Sequence, residues 1–142
     1  MENEKHGALT LDVMLFRVNG ALFGVKVDQI MGVYGQHRTA SENERISRLD
    51  EIFFGHASPV RENWKIIRLK EAQKDGSFWG FLTEEPEDMI KISIVDIRPL
   101  PSMVEKLGAF KSIWGSFHHG EELGLLLDLT ELCWETTGKK AA

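Results

Sequence analysis

The sequence predicts an all-β fold with minor short helices, built as a barrel or sandwich of short strands. Apolar and polar residues alternate with a period of two in several segments, which is typical of half-buried strands. Turn-forming pairs such as Asn19-Gly20 separate these segments at short intervals. A degenerate internal repeat further indicates that the chain consists of two similar halves.

The N-terminal region is predicted to form a hairpin followed by a third strand. Every second residue from 9 to 15 is apolar, and the apolar side then shifts at Phe16, which indicates a bulge or a bend. Asn19-Gly20 favours a two-residue turn because both residues tolerate positive φ. The returning strand is predicted over residues 21–27 and the third strand over residues 30–34.

The rest of the chain continues as short strands with weak helical signals. Asp75-Gly76 indicates a tight turn, and the polar residues 118–121 indicate a second hairpin turn. Residues 48–54 are ambiguous between strand and helix. Strands are predicted over residues 66–69, 78–82, 90–94, 113–117 and 123–129, and helical turns over residues 102–107 and 130–134.

The internal repeat runs in each half from a glycine-containing strand to a Leu-Asp strand end. The segment around Gly24 resembles the segment around Gly80, and the segment around Asp50 resembles the segment around Asp128. The interval from Gly24 to Asp50 is 22 residues shorter than the interval from Gly80 to Asp128. The first half therefore lacks about one strand-loop-strand unit.

Composition limits the class of protein and its domain organisation. The 142 residues are 42% hydrophobic and 27% charged, which is ordinary for one globular domain. We predict a single domain over residues 9–135, with halves at about 9–60 and 61–135. The polar residues 1–8 and 136–142 are predicted to be flexible tails.

Charge and hydropathy exclude two kinds of partner. The net charge is −5 and no compact basic stretch occurs, so nucleic acid is not an expected partner. The acidic N-terminus has no apolar signal region, and no apolar run approaches the roughly 18 residues that span a bilayer. The single cysteine, Cys133, fits a reducing compartment. We therefore expect a cytoplasmic protein without membrane insertion.

The residues that could form a metal or thiol site are better explained as structure. His118 and His119 are adjacent, and together with Glu121, Glu122 and Cys133 they lack the ordered spacing of metal ligands. We interpret the two histidines as turn residues. Cys133 stands in an apolar segment, and we interpret it as a small core residue rather than as a nucleophile.

Asp50 and Asp128 are the only pair that suggests acid–base chemistry. Both end apolar strands and precede possible helical turns, so each is predicted to act as an N-cap or turn residue that accepts backbone N–H bonds. Their repetition in both halves favours this structural role. We predict no catalytic residue, no cofactor and no metal site, and therefore no enzyme.

The four tryptophans divide into two predicted groups. Trp79 and Trp114 stand in apolar strands and are expected in the core, whereas Trp64 and Trp134 adjoin polar stretches and are expected on an exposed contact surface. One alternative function is a barrel that binds a small ligand. Its cavity would be lined by Phe78, Trp79, Phe81 and Trp114.

Four segments in a fixed order carry a resemblance to a known family. Residues 18–30 form a hairpin that runs into a Val-x-x-Ile step, and residues 96–101 form a proline-rich link. Residues 113–115 begin the next strand, and residues 125–132 form a Leu-Asp strand end. No single segment is specific, but their ordered combination resembles the CheW family of bacterial chemotaxis coupling proteins over nearly the whole chain.

The resemblance implies two packed small five-stranded β-barrels without enzymatic activity. Members of the family act as adaptors in chemotaxis signal transduction and join a chemoreceptor to the regulatory domain of a CheA-type histidine kinase. Receptor helices enter an apolar groove between the barrels. The resemblance, with the tryptophan prediction above, gives the candidate protein-binding residues Val27, Ile30, Met31, Val33, Trp64 and Trp134.

The chain departs from the family in its first half. The Pro-containing loop and strand pair with an Asn-Leu-Arg-Gly-like turn, which precede the first Leu-Asp end in the family, have no counterpart here. The first barrel is therefore expected to be incomplete, with an exposed strand edge that needs a cover. A second possible function follows: a self-associating variant, possible as a homodimer, that no longer couples receptor to kinase.

Overall fold

The computed structural model describes residues 9–36, 44–70, 76–100 and 111–137, and it confirms the all-β class. Short 3₁₀ turns over Val27–Gln29 and Ile94–Asp96 interrupt the strands. The strands in these ranges are β1 Thr10–Val18, β2 Ala21–Lys26, β3 Ile30–Gly35, β4 Glu44–Arg48, β5 Lys65–Leu69, β6 Phe78–Thr83, β7 Asp88–Ser93, β8 Ile113–His119 and β9 Glu122–Leu127; the α-helices are α1 Leu49–Phe54 and α2 Leu129–Thr137.

The strands form two sheets. The five-stranded sheet has the order β7-β1-β2-β9-β8, and the four-stranded sheet has the order β3-β5-β6-β4. Both sheets follow one plan: an antiparallel hairpin at the centre, an antiparallel strand on one side, and a parallel strand on the other. Within the described ranges only the five-stranded sheet continues beyond its parallel strand, where β8 pairs with β9.

The two halves of the chain exchange strands. β3 leaves the first hairpin and pairs with β5, while β7 leaves the second hairpin and pairs with β1. Each sheet therefore contains strands from both halves. The four-stranded sheet is the incomplete unit, which confirms the expectation. Its central hairpin, β5-β6, nevertheless belongs to the second half of the chain, although the missing residues belong to the first half.

The register of the parallel pairs shifts the predicted repeat by two residues. Gly24 on β2 is opposite Leu126 on β9, and Gly80 on β6 is opposite Ile46 on β4. Ile46 therefore corresponds to Leu126, and Leu49 to Leu129, rather than Asp50 to Asp128. Arg48 of the shorter half occupies the position of Asp128.

Of the two features predicted for the first strand, a bulge or a bend, the bulge is absent from β1. Its register with β2 is continuous from Val13 to Val18, and Val13–Phe16 are all buried. Two cores explain the pattern, because Val13 and Leu15 pack in one and Met14 and Phe16 pack in the other. A strand covered on both faces is apolar on both faces, so the apparent shift in alternation came from two-sided burial.

The main core lies where the two sheets and both helices meet. It joins Phe16 and Phe23 of the five-stranded sheet to Phe81 of the four-stranded sheet, and it takes Leu49 from α1 and Leu132 from α2. Burial of these large side chains supplies the dominant favourable term for folding. The two sheets and both helices thus form one packed unit.

A second core fills the five-stranded sheet, which curls into a closed barrel. The segment after β7 reaches β8 through paired backbone hydrogen bonds between Arg98 and Ser116. Phe117 lies inside, and a Cβ built on Gly124 or Gly24 would lie only 2.3 or 3.2 Å from its ring. Gly124 must remain glycine because of the ring, and Gly24 must remain glycine because a Cβ there would also lie 2.5 Å from Cγ1 of Val13.

Turns and termini match the sequence predictions in part. Asn19 and Gly20 have φ values of 51° and 84°, as expected for the hairpin turn, and Gly76 has φ of 85°. Residues 48–54 resolve as β4 running into α1, and α2 continues to Thr137, into the predicted C-terminal tail. The predicted helical turn at 102–107 and the predicted tail at 1–8 lie outside the described residues.

No helix among the described residues has the length and apolar character needed to cross a membrane. The longest of them, α2, has 9 residues.

Candidate interaction surface

An apolar ledge lies at β3, the outer strand of the four-stranded sheet. We define the β3 ledge as Val27, Ile30, Met31 and Val33. Val27 and Ile30 are half-buried and pack against the main core. Met31 and Val33 are 48% and 40% exposed, which is high for large apolar side chains. Val27 and Ile30 are therefore part of the packing around the core, whereas Met31 and Val33 face solvent.

Gln29 fixes the ledge to the start of α2. Its side-chain Nε2 donates to Asp128 Oδ1 at 2.9 Å, and its Oε1 accepts the backbone N–H of Leu129 at 2.9 Å. Its carbonyl accepts the N–H of Lys70 at 2.8 Å. Sequence reasoning missed Gln29 because a lone glutamine follows no pattern. The ledge is thereby held in place by hydrogen bonds to two other parts of the fold.

The two aspartates have different structural roles. Asp128 is an N-cap, as predicted, because its Oδ1 accepts the N–H of Glu131 at 3.0 Å. Asp50 accepts backbone N–H bonds from Glu51 and Ser58 at 2.9 and 2.8 Å, but it lies inside α1, whose N-cap is Arg48. Asp50 therefore accepts backbone N–H bonds, as predicted, but it is not the N-cap of α1.

Asp50 is a buried carboxylate with a charged partner. Arg48 donates to its two oxygens at 3.1 and 2.8 Å, and Asp50 is only 2% exposed. Burial by itself would raise the pKa of Asp50. The hydrogen bonds from Arg48 and from the N–H groups of Ser58 and Glu51 outweigh burial, so the pKa lies below its ordinary value.

The prediction that Trp64 forms an exposed contact surface is wrong. Trp64 is 5% exposed, and the Arg48 guanidinium lies 5.5 Å from the centre of its ring. Arg48 also donates to the carbonyl of Ser58 at 2.5 Å, so the loop after α1 is drawn over this region. Trp64 is thereby a structural residue beneath the Arg48–Asp50 pair.

Of the other three tryptophans, Trp134 and Trp114 depart from their predicted groups. Trp134 is half-buried and packs against the main core from α2. Trp79 is 5% exposed, as predicted for a core residue, but Trp114 is 41% exposed. Trp114 stands where the β8–β9 register shifts between Ile113 and Gly115, and this irregularity separates it from the alternating burial of its strand.

The aromatic residues proposed to line a ligand cavity do not share one. Trp79 and Phe81 are in contact, with ring centres 5.9 Å apart, whereas Phe78 packs against Arg68 and Trp114 faces solvent. A shallow depression of about 150 Å³, much of it open to solvent, is smaller than the roughly 300 Å³ typical of ligand sites. It is lined by Arg17, Val18, Asp50, Trp64, Leu82, Thr83 and Glu84.

The candidate metal ligands do not form a cluster. His118 and His119 are exposed at the end of β8, where His118 is opposite Leu123 and His119 is opposite Glu122. In the described ranges no three histidine, cysteine, aspartate or glutamate side chains are placed to hold a metal ion.

The thiol of Cys133 is expected to react slowly in the folded protein. Cys133 is fully buried in the main core, and burial, together with the charge of Asp128, raises its pKa to about 12. Only the thiolate reacts readily with a disulfide reagent. Native protein at pH 8 should therefore show a rate at least about 100-fold below that of urea-unfolded protein. Equal rates would show that the thiol is accessible.

The four-stranded sheet forms an open half-barrel, and its inner face carries charged side chains. Arg68 lies 3.8 Å from Glu44, and its guanidinium lies 4.1 Å from the ring centre of Phe78. Among the described residues Arg68 Nε is buried without a hydrogen-bond partner. The corresponding face of the five-stranded sheet is apolar and closed by β8.

This architecture defines an all-β protein of two sheets. Both sheets have the same arrangement of strands, and each contains strands from both halves of the chain. No family model matches the sequence, and no curated protein matches it. Among solved structures, it is similar to the scaffolding protein TtCheW from Thermoanaerobacter tengcongensis. The two share 15% identity over 91% of each chain, with a TM-score of 0.68. The CheW-like fold predicted from the ordered motifs is thus confirmed.

Proposed function

We propose that this protein is a non-catalytic adaptor that binds other proteins in chemotaxis-type signalling. Its partners are the regulatory domain of a CheA-type histidine kinase, a chemoreceptor, or both. The observation that carries the proposal is the CheW-like fold over nearly the whole chain, shared with a protein described as a scaffold. The protein acts in the cytoplasm, where both partners present their binding regions.

The β3 ledge is the binding surface in this proposal. Met31 and Val33 are exposed, while Val27 and Ile30 pack against the main core and the hydrogen bonds of Gln29 hold this segment in place. A rigid apolar surface binds with little loss of conformational entropy. Trp64 is excluded from the surface by its burial, and Trp134 contributes only the exposed part of its ring.

The proposal is tested by calorimetric titration of the protein with two probes from the same organism. One probe is the kinase regulatory domain, and the other is the helical cytoplasmic tip of a chemoreceptor. Binding of either with micromolar affinity, about −8 kcal/mol, supports the adaptor function. Failure of both probes to bind at 100 μM would remove chemotaxis coupling as the function of this protein.

The double substitution Met31→Asp with Val33→Asp is expected to weaken that binding at least about tenfold. It places two charges in a surface that must be desolvated on binding. Met89→Asp is the matched control. Met89 lies opposite Met14 on β1, and Val33 lies opposite Ile67 on β5, so the two residues occupy equivalent positions in the two sheets. Met89 is 64% exposed. Equal loss of affinity in both variants would contradict the assignment of the β3 ledge.

A further inference from the structure

The plan shared by the two sheets shows where the four-stranded sheet is incomplete. β9 and β4 are the equivalent parallel strands, paired with β2 and β6 respectively. The outer edge of β9 is covered by β8, whereas no strand in the described part of the chain pairs with the outer edge of β4. One more strand would give both sheets the same five positions.

The equivalent residues Leu126 and Ile46 show the consequence of this difference. Leu126 is fully buried under the closed barrel, whereas Ile46 at the middle of β4 is 40% exposed. Ile46 lies on the same face as Ile66, since a Cβ built on Gly80 would meet both side chains within 4 Å. An apolar residue in the middle of a free edge strand favours the addition of another strand.

The sequence of β4 is complementary to itself. In an antiparallel pair of two β4 strands centred on Ile46, Glu44 is opposite Arg48 of the other copy, and Arg45 is opposite Ser47. Ile46 is then opposite its own copy. Cross-strand pairs of opposite charge and of apolar residues stabilise a sheet, and this register contains no like-charge pair. A register centred on Arg45 would instead place two arginines opposite each other.

The internal contacts of β4 limit what its charges add to the pairing. Glu44 lies 3.8 Å from Arg68 within the chain and its side chain is fully buried, whereas the Arg48 side chain is 24% exposed while bonded to Asp50. In the paired strands Glu44 keeps Arg68 as its partner, so the register is carried by the apolar pair at Ile46 and by the absence of a like-charge pair. Neither internal ion pair has to break.

We propose that two copies of this chain associate through antiparallel pairing of their β4 strands about a two-fold axis at Ile46. The pairing joins two four-stranded sheets into one continuous eight-stranded sheet. A two-fold axis makes the contact closed, so it yields a dimer rather than a filament. Because each copy contributes only five residues, the dimer is weak and forms at high micromolar concentration.

Cross-linking at the two-fold axis tests the geometry directly. Directly opposed residues of an antiparallel pair have Cα atoms about 4.5 or 5.5 Å apart, which is within the range of a disulfide. Ile46→Cys is therefore expected to give a covalent dimer on mild oxidation. Val60→Cys is the matched control, since Val60 is 38% exposed and lies outside the strands. Wild-type protein should give no dimer, because Cys133 is fully buried.

Sedimentation velocity up to millimolar concentration gives the second test. Ile46→Lys places two like charges opposite each other at the axis, so it should weaken self-association at least about tenfold, while Val60→Lys should leave it unchanged. A strict monomer for the wild type would overturn the proposal. So would equal cross-linking of the two cysteine variants, or self-association that survives Ile46→Lys. None of these results depends on binding of a kinase or receptor.

Discussion

Replacement of Phe117 by alanine is expected to lower the free energy of unfolding by about 3–5 kcal/mol. Phe117 is 1% exposed and fills the closed barrel of the five-stranded sheet together with Val13, Leu15 and Leu22. The backbone at Gly24 and Gly124 already approaches the ring as closely as it can. The barrel cannot collapse further around the lost ring, so the substitution leaves a cavity.

Urea denaturation at 25 °C measures this loss, with Phe78→Ala as the matched control. Phe78 is a half-buried residue on the open face of the four-stranded sheet, where it packs against Arg68. Its truncation is expected to cost only about 1–2 kcal/mol, since solvent already reaches part of the ring. Equal losses at the two positions would mean that the four-stranded sheet is closed as fully as the five-stranded one.

The contrast between the two sheets bears on function. The two sheets share one plan, but among the described residues only the five-stranded sheet has a strand, β8, on the outer edge of its parallel strand. Unpaired edges are usually avoided because they recruit other chains. Retention of an edge with Ile46 at its centre is therefore consistent with a binding role, distinct from that of the β3 ledge.

Much of the fold could be predicted from the sequence because local signals agree with the final structure. The Asn19-Gly20 turn, the alternating strands and the N-cap at Asp128 each reflect short-range physics. The ordered motifs led to the CheW-like fold even though the solved structure shares only 15% identity. The shortening of the first half could also be predicted, because the interval between the repeated segments can be counted in each half of the sequence.

Strand exchange and burial could not be predicted in the same way. Nothing local shows that β3 pairs with β5 rather than within its own half, since pairing depends on long-range contacts. Trp64 stands among polar residues in sequence but lies under Arg48 in the fold, whereas Trp114 stands among apolar residues and is exposed. The polarity of the neighbouring residues in sequence therefore predicted the wrong exposure for both tryptophans.

Only part of the predicted surface is exposed in the structure, and its role in binding stays a prediction. The ledge residues Met31 and Val33 are exposed, as a binding role requires, but their support by Gln29 and Asp128 joins residues 99 positions apart. Two polar side chains so distant in sequence carry no pairing signal. The self-complementary sequence of β4 likewise carries no signal by itself, because its meaning depends on the finding that no described strand covers the outer edge of β4.

Asp50→Asn is expected to lower the free energy of unfolding at pH 7 by about 2–4 kcal/mol. The substitution removes the charge that Arg48 faces while the side chain stays 2% exposed. Loss of one partner from a buried ion pair is strongly destabilising, and the remaining exposure of Arg48 moderates the effect. Asp12→Asn is the control, because Asp12 pairs with Lys91 at the surface and its loss should cost less than about 1 kcal/mol.

The pH dependence of this difference identifies the carboxylate as its source. The pKa of Asp50 is lower in the folded protein than in the unfolded chain, so its contribution is complete above the unfolded value of about 3.9. The contribution is lost as pH falls from there through the folded pKa. The free energies of unfolding of wild-type protein and Asp50→Asn should therefore differ fully above about pH 4 and approach each other as pH falls below it, through the folded pKa. A difference that does not change with pH would attribute the loss to packing alone.

The same substitution links stability to the proposed dimer. Arg48 is the last residue of β4, and Asp50 fixes it together with the loop at Ser58. If the edge of β4 needs this support to pair with a second copy, Asp50→Asn should reduce the cross-linking of Ile46→Cys under conditions where the protein stays folded. Unchanged cross-linking would show that pairing with β6 alone holds β4 in place.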